Sequence, residues 1–301
     1  MNPHPQIVST GKCVASLCAV AVLLGILLLP NKGAAQNITL QDGGSTAIIN
    51  PGNGSGNLGM NSWSVGGVTQ SQLNQQWFWY ANNYGVTQPL NMLGTLSVIN
   101  NAYGTEGLND VTLTYDNGSG LVANVEYVLS GNVATSGSGY LTEFIWIDNN
   151  SGSTKHISFY QYSNFNLLQN NVNNVNISSD GFGGYNGATQ TTGGPGGTGI
   201  AEVIDAPSAN FAEANYADGS VNSTLYKLNN TANLTLNNTL SAGPGDVTWA
   251  FQWWENIADG GEFNITKDKG LSVKLVPEPS MLALIALGMG ALGLTLRRKS
   301  A

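Results

Sequence analysis

Few side chains in this 301-residue chain could carry acid–base or nucleophilic chemistry, since only 9% of it is Asp, Glu, Lys or Arg. His156 is the sole histidine beyond the first 35 positions, and both cysteines, Cys13 and Cys18, lie within them. One imidazole and no thiol leave no thiolate nucleophile, no zinc–thiolate site and no multi-histidine metal centre in one protomer. A Ser-His-Asp triad would need His156 as its base, and no Gly-x-Ser-x-Gly elbow exists to present a serine to it. Glu126, Glu143, Asp148, Glu202, Asp205 and Glu255 have the right type for a pair of glycosidase carboxylates. Glu143 and Asp148 fall near the two ends of one strand, roughly 16 Å apart at ~3.3 Å per residue, too far to act together. The expectation is a body that is not an enzyme.

Binding chemistry has more to draw on. In Gln76-Trp77-Phe78-Trp79-Tyr80, strand geometry puts Trp77 and Trp79 on one face and Phe78 and Tyr80 on the other. A run apolar on both faces is more often a strand buried on both sides. If exposed, Trp77, Trp79, Trp253 and Trp254 would offer stacking surfaces for sugar rings. Asp116, Asp148, Asp180 and Asp218 sit in Asn/Gly-rich turns, so calcium is the one ion these residue types suit. None has EF-hand spacing, and turn formation alone accounts for them, so no metal site is assigned. Gly54-x-Gly56-x-x-Gly59 has the dinucleotide spacing but no acid about 20 residues on and no helix after it. The glycine-rich segment around Pro195 lacks the Gly-Lys-Ser/Thr end of a phosphate loop. No organic cofactor is expected.

The elements that must position these residues read as strands. Val111 to Tyr115 alternates strictly, Asp116-Asn117-Gly118-Ser119-Gly120 is hairpin-turn chemistry, and Leu121, Ala123, Val125, Tyr127 and Leu129 share one face of the return strand. Phe144-Ile145-Trp146-Ile147 is apolar on both faces and reads as central. Further strands are expected at 37–40, 47–49, 155–162, 221–228, 234–240, 247–254, 263–267 and 271–275. Residues 181–199 read as a long loop, and Gly243-Pro244-Gly245-Asp246 as a turn. Strands every 10 to 15 residues with Gly/Asn turns and no amphipathic helix predict an all-β fold, a β-sandwich of jelly-roll or Greek-key type.

Both ends carry other signals. Lys12, an apolar run from Ala19 to Leu29, Pro30 and the small residues Gly33-Ala34-Ala35 form a signal peptide over 1–35, cleaved between Ala35 and Gln36. The other end begins with Pro277-Glu278-Pro279, whose prolines hold the chain extended. The uncharged residues 281–296 follow, about 24 Å long as a helix and nearly enough to span a bilayer. Arg297, Arg298 and Lys299 then form a cationic stop that stays on the cytoplasmic side. Between the ends lies a body, residues 36–275, with five lysines against 17 acids, a net charge of −12. Such a surface argues against nucleic acid and anionic lipid as partners.

Residues 276–301, with motif, apolar segment and basic end in that order, resemble the PEP-CTERM sorting signal. The resemblance implies a Gram-negative host, export by the Sec machinery and a precursor anchored in the inner membrane by a transient C-terminal helix. It also implies an exosortase as the partner that recognises Pro277-Glu278-Pro279, followed by delivery to the cell surface or the extracellular polysaccharide matrix. The segments around Trp77, Phe159 and Trp249 resemble β-rich bodies that precede such tails, and carry no activity with them. Set beside this reading are a carbohydrate-binding module and, behind it, a glycan-active enzyme.

Overall fold

The computed structural model describes residues 36–274, apart from 53–55, 69, 102–106, 134–135, 170–171 and 194–196. The signal peptide with its Ala35 boundary, the Pro277-Glu278-Pro279 motif, the 281–296 segment and Arg297, Arg298 and Lys299 lie outside the described residues. Among the described residues, no helix is long and apolar enough to cross a membrane.

In chain order the strands are β1 (Ile38–Asp42), β2 (Ser45–Asn50), β3 (Gly59–Ser64), β4 (Leu73–Asn82), β5 (Gln88–Pro89), β6 (Thr95–Asn101), β7 (Asp110–Asp116), β8 (Leu121–Gly131) and β9 (Ser138–Asn149). They continue with β10 (Lys155–Phe165), β11 (Asn173–Ser179), β12 (Tyr185–Thr191), β13 (Gly199–Ala206) and β14 (Phe211–Tyr216). Helix α1 (Thr224–Asn230), β15 (Ser241–Gly245), β16 (Val247–Ile257) and β17 (Gly261–Ser272) complete the body.

They form two antiparallel sheets, one ordered β1-β2-β3-β4-β10-β16-β14 with β5 on β4, the other β15-β11-β12-β13-β17-β9-β8-β7-β6. Of the β-sandwich expected, jelly-roll or Greek-key in type, the two antiparallel sheets are present. Three meanders, β1 to β4, β6 to β9 and β11 to β13, are joined through the long central strands β10, β16 and β17.

Alternation decides the larger sheet. On β9, Leu141, Ile145 and Ile147 point into the core, while Phe144 is 37% exposed. That strand is central, as expected, yet its outer face is open to solvent. The other sheet is covered on both sides, which is why β4, β10 and β16 are apolar on both faces. Over its outer face runs the segment from α1 to residue 238. The Trp79 indole donates to Asn229 Oδ1 (3.0 Å), the Tyr160 hydroxyl and Gln252 Nε2 donate to the Leu234 carbonyl (2.6 and 3.0 Å), and Gln252 Oε1 accepts from the Leu236 N–H (2.9 Å).

Several expectations are corrected here. Residues 221–228 are not a strand: Ser223 caps α1 by accepting from the Tyr226 N–H, the usual device of a serine before a first turn. Residues 234–240 bond through side chains and single carbonyls rather than in a ladder, and Asn238 among them sits in the left-handed region at φ +61°. The 181–199 loop contains β12, and the expected Gly243-Pro244-Gly245-Asp246 turn is largely β15, paired with β11.

Candidate functional site

The densest polar chemistry lies inside the sandwich. Lys267 and Lys269 are two apart on β17, so strand periodicity aims both at the core. Register puts Lys267 opposite Glu143 of β9 and Lys269 opposite Glu202 of β13. Both ammonium groups reach Glu143 Oε2, Lys269 at 2.5 Å, and both lie 3.3 Å from Glu202 Oε1. All four side chains are fully buried. The facing sheet closes the cluster. Gln161 Nε2 and the Trp249 indole donate to Glu202 Oε2 (3.0 and 2.8 Å), Lys267 donates to Gln161 Oε1 (2.5 Å), and Lys267 Nζ stands 4.9 Å over the Phe78 ring.

Two cations and two anions balance, and this sets their protonation. Burial pushes the Glu202 carboxyl up, but Lys269 and Lys267, with the Gln161 and Trp249 donors, outweigh it and bring it down to about 2. Desolvation draws Lys267 down to about 8 against the pull of Glu143, and the neighbouring Lys269 charge acts in the same direction as burial. Lys269 moves the other way, because Glu143 and Glu202 more than offset its burial. The two lysines therefore titrate as one coupled pair, with Lys267 drawn below its ordinary value and Lys269 above it. With no exposed face, the cluster can lock the two sheets in register.

Sequence reasoning singled out Glu143 and Glu202 only by type and passed over both lysines. The missed signal was phase. Lys267 and Lys269 share parity with Phe263, Ile265 and Leu271, Glu143 with Leu141, Ile145 and Ile147, and Glu202 with Ile200 and Ile204, all of them core residues.

The other predicted residues separate. Trp77, Trp79 and Trp253 are buried to within 1%, and only Trp254, at 36%, shows a ring to solvent. The first three cannot stack on sugars: Trp77 meets Tyr115 edge-on at 6.1 Å, Trp79 packs edge-on against Tyr162 at 6.0 Å, and the Trp253 indole donates to the Pro207 carbonyl. His156 stacks on Tyr84 at 4.3 Å, with Nδ1 3.0 Å from Asn256 Oδ1, and among the described residues no carboxylate bonds to its ring. Asp148 lies on the opposite face of β9 from Glu143, so these two are divided by the sheet as well as by distance. Burial raises the Asp148 pKa, and the neighbouring Glu262 adds to the effect.

The turn aspartates are occupied. Asp116 Oδ1 accepts from the Gly118 N–H (2.7 Å), Asp180 Oδ1 from Phe182 and Gly184 (2.7 and 3.0 Å), and Asp218 Oδ1 from Ser220 (2.9 Å). Backbone donors hold Asp180 and Asp218 below the usual carboxylate range. Among the described residues no three His, Cys, Asp or Glu side chains gather to hold a metal ion.

Comparison with known proteins places the fold first and then the tail. The body is similar to a bacterial glucoamylase complexed with acarbose, with TM-score 0.53 and 12% identity, covering 85% of this chain and 36% of that one. The chain thus spans about a third of the glucoamylase. A putative aldose 1-epimerase from Escherichia coli K12 is similar at TM-score 0.46 and 10% identity, over 80% of this chain and 99% of that one. A galactose mutarotase related enzyme from Lactobacillus acidophilus is similar at TM-score 0.43 and 11% identity, over 79% and 100%. At 12% identity the likeness to the glucoamylase is one of fold. No curated protein matches the sequence. Residues 275–299 match the PEP-CTERM protein-sorting motif, so the chain joins a two-sheet antiparallel body to a sorting tail.

Proposed function

We propose that this is an exported protein of a Gram-negative bacterium, held in the inner membrane as a precursor and passed to the cell surface or polysaccharide matrix by an exosortase. The observation that carries this reading is the sorting-motif match over residues 275–299, with Pro277-Glu278-Pro279, the apolar block and Arg297-Arg298-Lys299 in order. Residues 1–35 act as the signal peptide for the Sec machinery, and residues 281–296 as the transient membrane helix. Glu278 is the charged determinant the exosortase reads, and the basic end arrests translocation. The body works without catalysis, as a structural or binding module. In support, Glu143 and Glu202 are sealed in the core and charge-balanced, and His156 is held by rings and an amide.

Fractionation with mass spectrometry tests the reading. Wild-type protein outside the cell should lack residues 281–301, and Glu278→Ala should stay in the membrane at full mass. Equal release of the variant, or an intact carboxyl end outside the cell, would overturn it.

A further inference from the structure

Strand β14 ends one sheet, and β15, with β11 beside it, ends the other. Residues 237–240 run between these two edges and are stitched to both. The Asn238 N–H donates to the Ala212 carbonyl (2.9 Å), the Ala214 N–H to the Thr239 carbonyl (2.7 Å) and the Ile177 N–H to the Leu240 carbonyl (2.8 Å). Asn238, at φ +61°, also accepts from the Ala212 N–H through Oδ1 (3.1 Å). The strap therefore consumes the edge hydrogen bonds that an added peptide strand would need along this part of β14.

Over this frame lies an open cleft of about 520 Å³ whose polar lining includes Asn174, Asn176, Tyr216, Asn237, Thr239 and Ser241, while Asn215, also at its wall, spends its amide donors on Glu213 Oε1 (2.9 Å) and the Asn222 carbonyl (2.9 Å). That volume lies within the usual range for small-ligand sites. None of the described residues lining it is Asp, Glu, Lys, Arg or His. The acid of the adjoining strand, Glu213, is fully buried and turned to Lys227 (2.5 Å) and the Thr224 hydroxyl (2.6 Å). Asn174, Asn176, Thr239 and Ser241 make no side-chain hydrogen bond with the described residues. Asn237 Oδ1 accepts from the Thr239 N–H (2.9 Å), which leaves its amide donors available. Tyr216 is 40% exposed, and its hydroxyl accepts from the Gly243 N–H (3.1 Å), which fixes the ring beside the cleft.

The chemistry of this lining selects a class of ligand. A phosphate, a carboxylate or a cation would be desolvated with no opposite charge to meet it. A purely apolar ligand would strip water from amides and hydroxyls without replacing their hydrogen bonds. A carboxamide both donates and accepts, as a sugar hydroxyl does, and a held tyrosine ring matches the apolar face of a pyranose. We infer that this cleft binds a neutral oligosaccharide. The inference is independent of tail processing, so its failure and that of the export reading are separate results.

The test uses the full chain in a zwitterionic, non-glycosidic detergent, titrated calorimetrically with cellohexaose, maltohexaose, xylohexaose and, as a charged control, hexagalacturonate. At least one neutral hexasaccharide should bind, and hexagalacturonate should not. The double change Asn174→Ala/Asn176→Ala should weaken binding roughly tenfold or more. Tyr216→Ala should weaken it comparably, Tyr216→Phe less, and Trp254→Ala, away from the cleft, not at all. Asn176 is exposed, so Asn176→Ala alone folds and gives an independent reading. Failure of every neutral hexasaccharide, preference for the charged one, or wild-type affinity in the cleft variants would overturn the inference.

Discussion

Glu202→Gln isolates the electrostatics of the buried cluster. Holding this carboxyl at about 2 rather than its ordinary 4.5 is worth about 3 kcal/mol at neutral pH. The group is fully buried, so solvent screening takes little away. The folded value lies below the unfolded one, so this stabilisation is complete above about pH 4.5 and is lost as the pH falls toward 2. The amide keeps the shape but leaves Lys267 and Lys269 facing Glu143 alone, a buried charge imbalance of the kind that costs about 3–5 kcal/mol. At pH 9 the balance changes, because Lys267, drawn down to about 8, has released its proton. The variant then has one cation against one anion, and its deficit should shrink. Urea unfolding followed by tryptophan fluorescence at pH 3, 7 and 9 measures all three points. The expected pattern is a deficit of about 3 kcal/mol or more at pH 7, smaller at both other values. A variant within about 1 kcal/mol of wild type at pH 7, or equally impaired at pH 7 and 9, would refute this account of the cluster.

Asn149→Ala removes a buried amide that donates to the Ile257 carbonyl (2.7 Å) and the Ser153 carbonyl (2.8 Å). It should cost about 2–3 kcal/mol, read as a lower midpoint in calorimetry. Gly59 sits at φ +82°, where a Cβ would fall 2.2 Å from the Gln76 carbonyl oxygen. Gly59→Ala should therefore lose about 2 kcal/mol or more in urea unfolding. Trp79→Phe deletes the bond to Asn229 that ties α1 to the sheet. Limited proteolysis should then cut first within residues 224–240, while the core strands resist.

The sandwich was legible where alternation was strict and the neighbours lay close in sequence, as in β7 and β8. It was obscured where strands were apolar on both faces. Trp77 and Trp79 read equally as core or as an exposed platform, because periodicity reports that a face is apolar and not what covers it. The cover here is the segment from α1 to residue 238, whose tie to the sheet runs through side chains such as Gln252 and Trp79 that no local pattern marks. The 221–228 segment was misread although Val221, Leu225 and Leu228 fall at the i, i+4, i+7 spacing of a helix, with Ser223 as its cap. The cleft was invisible because residues 174–176, 216 and 237–241 are brought together only by the closing of two sheet edges. The sorting tail was legible because it is a linear signal read in sequence order.

The placement of charge joins the interior to the surface. Of the five lysines in the body, Lys267 and Lys269 are sealed in the core and Lys227 is paired with Glu213, which leaves Lys155 and Lys274 to face most of the 17 acids. Because the two buried cations are balanced by Glu143 and Glu202, the rest of the body keeps the full net charge of −12, with three lysines among 15 acids. Such a surface repels anionic polymers, nucleic acid and uronate-rich glycans alike, at a range set by the Debye length of about 8–10 Å. Set into it, the uncharged cleft between β14 and β11 need not reject anions by its own contacts, because they are turned away before arrival. Raising the salt from 0.05 to 0.5 M should therefore leave affinity for a bound neutral hexasaccharide unchanged, while any residual association with hexagalacturonate should rise as repulsion is screened. A neutral ligand whose binding weakened steeply with salt would place the site on charged residues outside the cleft.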